Sequence, residues 1–283
     1  MRNPTAAFAL FVAWSVVGSV GASASMAQRE VDPVTRARQA YNQQQFDEAV
    51  TLASAARQTP ALANSASLVL ARALLERFRR AGDVADVATA RQALLSIDPA
   101  RLVAHETSEL HLGTAELLFV DAEYGAAAEL FEVALDRAAF VPADQRDHVL
   151  EWWAASLDRH AQLVPETERH ARYRRLLTRV EQEAARGPAS AVVAYWLAAA
   201  ARGVDDPDRA WSLVVAGWIQ APLISPGASG AARAVALRAD LDRLMMDAII
   251  PERARRAAPP SDPIALRVAL AAEWAAIKER WQK

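Results

Sequence analysis

The feature that most restricts this chain is an apolar stripe that returns at long, nearly even intervals. After Tyr124, the residues Ala127, Leu130, Phe131, Ala134 and Leu135 fall at offsets 0, 3, 4, 7 and 8, with Glu129, Glu132 and Asp136 opposite them. That spacing matches one face of a helix with about 3.6 residues per turn, not the alternation of a strand. Copies start at Ala49 (with Leu52, Ala53 and Ala56), at Val87 (with Ala90, Leu94 and Leu95) and at Ala210 (with Leu213, Val214, Gly217 and Trp218). The starts 49, 87 and 127 lie 38 and 40 residues apart, and the 83 residues from 127 to 210 leave room for one more copy, supplied by Tyr173, Leu176, Leu177 and Val180. Each stripe follows another helical segment and a polar break, at Asn42–Gln45, Ala81–Asp83, Asp121–Glu123, Val164–Pro165 and Val204–Pro207. A helix, a short break, a second helix and a return after about 40 residues predicts roughly five stacked helical hairpins. Gly82 is expected to supply a left-handed helix end, and Pro165 and Pro207 to sit in the first turn of the next helix, where no amide donor is missed.

Composition agrees with an all-α chain. Ala, Leu, Arg, Glu and Gln dominate the 283 residues and Gly occurs only 10 times, so good helix formers prevail. Hydrophobic residues make up 53% and charged residues 23%, which is ordinary for a folded protein with a real core. The formal net charge of -2 supplies no field for nucleic acid or an anionic membrane. Cysteine is absent, which removes disulfides, thiolate metal sites, a cysteine nucleophile and a lipoprotein anchor.

The N-terminus reads as an address. Arg2 precedes an apolar run from Ala6 to Ala22, followed by Ser23-Ala24-Ser25-Met26-Ala27 and the charged Arg29, Glu30 and Asp32. This is the layout of a secretory signal peptide, with cleavage expected after Ala27, where Ser25 and Ala27 meet the small-residue requirement. The alternative is an uncleaved membrane anchor, for which the run is short and thinned by Gly18, Ser19 and Gly21. No second stretch qualifies as transmembrane, so the mature protein is expected to be periplasmic or extracellular.

Two of the hairpins carry a family resemblance. Phe46-Asp47-Glu48-Ala49 with Ala53 and Ala56, and Asp121-Ala122-Glu123-Tyr124 leading to Ala127, Phe131 and Ala134, set an aromatic before a tightly spaced Ala core. In this the chain resembles the tetratricopeptide-repeat family over roughly residues 34–222, although its period exceeds the family's roughly 34 residues. The resemblance implies a right-handed superhelix of stacked antiparallel hairpins, a TPR-like α-solenoid, that holds a protein or peptide on its concave face. Tetratricopeptide domains that hold C-terminal carboxylates use Lys and Asn on their first helices. The matching positions here hold Val31, Val34, Thr35, Arg38 and Tyr41, so that mode is not expected. The domain reading is a signal peptide at 1–27, helical repeats at 28–224 and C-terminal helices at 225–283 that cap the stack. In the last part Ser225 to Gly230 reads as a linker, Pro251 as the opening of a short helix and Asp262 as the N-cap of a final helix.

No local motif points to an enzyme. There is no Gly-x-Ser-x-Gly elbow and no phosphate loop. His105 and His111 are six apart, which turns them about 120° from one another on a helix. Asp144–His148 and Glu166–His170 are acid–His pairs at i,i+4, read as surface pairs. No cofactor and no metal is therefore expected. The candidate partner-binding residues are Trp152 and Trp153, which diverge by about 100° so that one can leave the core, and Arg172, Arg175 and Arg179, which share a helix face. The expected function is a non-enzymatic scaffold of the bacterial envelope. The alternatives are a carbohydrate- or peptidoglycan-binding module or α/α-toroid hydrolase, and a purely structural, self-associating unit.

Overall fold

The computed structural model describes residues 32–136, 141, 145–187, 190–224, 228–257 and 262–281. Among them every regular element is helical and no strand occurs. Ten helices form five pairs: α1 (Pro33–Asn42) with α2 (Phe46–Ala56), α3 (Ala63–Ala81) with α4 (Val84–Leu95), α5 (Ala104–Val120) with α6 (Tyr124–Asp136), α7 (Arg146–Leu163) with α8 (Glu166–Arg186), and α9 (Ala191–Gly203) with α10 (Pro207–Ile224). Then come α11 (Ala228–Leu244), α12 (Ile250–Arg256) and α13 (Pro263–Trp281). Consecutive helices pack together, and α1, α3, α5, α7 and α9 each also pack on the next odd-numbered helix.

The repeated stripes explain this order. Ala49, Ala53, Ala90, Ala93, Ala127 and Ala210 are wholly buried, and their single-methyl side chains let neighbouring helices approach closely. Phe131, Leu176, Val180 and Val214 fill the same faces. One stripe residue departs from expectation. Leu95 is 80% exposed, because it lies three turns from Val84 on the outer face of α4 while Ala90, Ala93 and Leu94 turn inward.

The breaks are built alike. Gln44, Gly82, Ala122 and Asp205 all have φ between 60° and 76°, and each lies five residues before the start of a stripe. At Gln44, Ala122 and Asp205 the next residue's amide donates back to the carbonyls of Ala40, Leu118 and Ala201, and the left-handed residue donates to Tyr41, Phe119 and Arg202. That pair of bonds closes the helix end. The fourth break differs: Val164 and Pro165 are extended, and Pro165 stands just before α8. Pro207 opens α10 as expected.

Two C-terminal expectations need correction. The helix after the linker already begins at Ala228. Pro251 does not open a separate helix: α11 continues through a π-helical stretch, Met245–Ile249, into α12, and the Ile250 amide reaches back five residues to Met245. The wider turn absorbs the amide that Pro251 lacks and the bulk of its ring. Asp262 does cap α13, accepting from the Ile264 amide at 2.9 Å. Trp274 pins α13 down: it is fully buried, edge-on to Trp218 at 5.2 Å, and donates to Asp242 at 2.7 Å.

Two substitutions test this packing. A Cβ on Gly203 would lie 2.3 Å from the Tyr173 ring, so Gly203→Ala is expected to cost about 2–3 kcal/mol in urea denaturation. Ala122→Gly is expected to raise stability by up to about 1 kcal/mol in the same assay, because it relieves a left-handed L-residue.

Candidate functional site

Helix α3 is where the sequence places charge in the interior. It touches α1, α2, α4 and α5, and every residue from Ala66 to Glu76 is buried. Arg72 and Glu76 are one turn apart within this run, and buried charges persist only when they are paired. Arg72 grips Glu116 of α5 through Nε at 3.1 Å and Nη2 at 2.9 Å, and its guanidinium lies 4.8 Å over the Tyr41 ring of α1. Glu76 accepts from the Trp152 indole at 2.5 Å, faces His148 Nε2 of α7 at 2.9 Å, and pairs with Arg79 at 3.2 Å. The Tyr41 hydroxyl lies 3.4 Å from the same His148 nitrogen.

A rim continues the network outward. Arg38 bonds Glu106 at 3.2 Å and Glu109 at 2.8 Å, Arg79 bonds Glu151 at 3.2 Å, and Gln145 donates to Asn42 at 3.1 Å. Side chains from α1, α3, α5 and α7 therefore meet in one place. One ligand atom each from Glu76, Glu116 and His148 lie within 4.8 Å of one another. A cavity of about 30 Å³ is bordered by Arg38, Tyr41, Arg72 and Glu109. It has room for about a water molecule and none for a peptide.

The electrostatics follow from burial and pairing. Burial opposes charge on Glu76, but hydrogen bonds from His148 and Trp152 and the charge of Arg79 outweigh it and hold the carboxyl down at about 2. Burial pushes the Glu116 carboxyl up, and Arg72 pulls it back. Burial opposes the charge on Arg72 as well, and Glu116 more than restores it.

The residues singled out in the sequence lie elsewhere or play other parts. Trp152 and Trp153 are 1% and 0% exposed. Phe119 and Phe131 cover the Trp152 ring and Arg79 stacks on it, so neither indole offers a face to a ligand. Arg172 is held by Glu168 and lies against His160, Arg175 is held by Glu129 and Glu132, and Arg179 by Asp136 and Glu183. These arginines tie α8 to α6 and to itself, and present no free positive face. His148 turns inward to Glu76; Asp144, its expected partner, lies outside the described residues. His170 bonds the Val204 carbonyl at 3.1 Å and Arg174 at 2.9 Å instead of Glu166. Ala27 lies outside the described residues. Arg72, Glu76 and Glu116 escaped sequence reasoning, although lone charges inside the apolar runs around Leu70–Leu75 and Leu112–Leu118 are a legible sign of interior pairing. No helix among the described residues is long and apolar enough to cross a membrane.

Comparison with family models, curated proteins and solved structures finds no match to this chain.

The inner pair can be tested by removing one partner and then both. Glu116→Gln leaves Arg72 buried without a counter-charge and is expected to cost about 3–5 kcal/mol. Arg72→Met combined with Glu116→Leu is expected to recover most of that loss. A cost below about 1 kcal/mol for the single variant would show the pair to be water-accessible.

Proposed function

We propose that this chain is an exported, divergent TPR-like solenoid that acts without catalysis as a scaffold for a protein partner in the bacterial envelope. The paired helices, their shared left-handed turns and the odd-to-odd packing support the architecture. The observation that carries the binding reading is α13. Leu266, Leu270, Trp274 and Ile277 form one stripe that packs inward, with Leu270 and Trp274 buried. Ile264, Val268, Ala272 and Ala275 form a second stripe with the same spacing on the opposite face, and all four are exposed. A helix that is apolar on both faces is ordinarily covered on both. The bias extends to its neighbours: six of the eleven exposed large apolar side chains among the described residues fall from Leu223 onward, which favours the C-terminal helices over the odd-helix side as the partner surface.

Photo-crosslinking in the native envelope tests this. A crosslinker at Val268 is expected to trap a distinct protein that a crosslinker at exposed Thr51 does not, and Val268→Glu with Ala272→Glu is expected to abolish the product while leaving the helical spectrum intact. Equal yields at both positions would defeat the scaffold reading. Adducts only between copies of this chain would replace it with self-association. The export half predicts a mature protein beginning at Gln28, read by N-terminal sequencing.

A further inference from the structure

We infer that Glu76, Glu116 and His148 form a site for a single transition-metal dication such as Zn²⁺. This inference is independent of the scaffold reading. Three helices bring one imidazole and two carboxylates together with their ligand atoms within 4.8 Å of one another, close enough for small side-chain shifts to gather them around one ion at bonds of about 2 Å. Two of the three are wholly buried and the third, His148, is 18% exposed, so the cluster has both a dry interior and an edge open to an entering ion.

The existing hydrogen bonds suit outer partners of metal ligands. Each carboxylate oxygen has two lone pairs, so Glu116 can keep Arg72 and Glu76 can keep the Trp152 indole while each gives a lone pair to the ion. Such partners fix the carboxylates in place. One nitrogen among the donors favours Zn²⁺ or Co²⁺ over Mg²⁺ and Ca²⁺.

Chelator-stripped protein titrated with Zn²⁺ at pH 7.5 tests the site. The expected results are one ion per chain by calorimetry, a raised melting temperature, and Co²⁺ absorption bands in the visible. His148→Phe keeps an aromatic ring beside Tyr41 but removes the nitrogen, and is expected to weaken Zn²⁺ binding at least tenfold. Glu76→Gln is expected to do the same. Absence of Zn²⁺ binding to the wild-type chain overturns the proposal without reference to either variant. So does binding that survives unchanged in both variants, or Ca²⁺ and Mg²⁺ binding as tight as Zn²⁺.

Discussion

Much of the inner architecture rests on two opposite charges removed from water together. Arg72 and Glu116 are almost inaccessible, and their attraction in a poor dielectric must offset the loss of hydration of both. That condition fixes more than the pair. Arg72 must be in α3 at the height of Glu116 in α5, and its stem passes beside Gly113, where an added Cβ would crowd it at 3.3 Å. Glu76 one turn on then needs its own partners, and α7 supplies them in His148 and Trp152. The stacking of α3, α5 and α7 is thus specified by charge as well as by the alanines that let them touch.

The periodic part of this arrangement was legible in the sequence. The stripes at Ala49, Ala127 and Ala210, the five breaks and the all-helical class follow from side-chain spacing and turn residues, which are local properties. Leu95 shows the limit of that reading, since an apolar residue at a helix end can lie on either side of the face boundary. Pro251 shows another. A proline normally marks a helix start, and only the backbone reveals that a π-helical turn carries the chain past it.

The site was less legible for a different reason. Trp152 and Trp153 attracted notice because two adjacent indoles diverge on a helix, yet helices pack around α7 on several sides and cover both. Arg172, Arg175 and Arg179 formed a face in sequence, with Glu168 and Glu183 one turn away as local partners, but the α6 partners of Arg175 and Arg179 lie more than forty residues away and no local pattern announces them. Glu76 and His148 are 72 positions apart in the chain, and their meeting depends on how the hairpins stack, which no window of sequence contains.

The contact between α1 and α7 has a consequence for how the chain folds. In an ideal row of repeats each unit touches only its neighbours, and structure can fray from an end. Here Tyr41 and Asn42 of the first hairpin meet His148 and Gln145 more than a hundred residues later. The first hairpin therefore cannot complete its polar pairing until the seventh helix exists. The first four hairpins are coupled into one cooperative block, and a nascent chain emerging from the ribosome must hold its leading hairpin unfinished while most of that block is still being made.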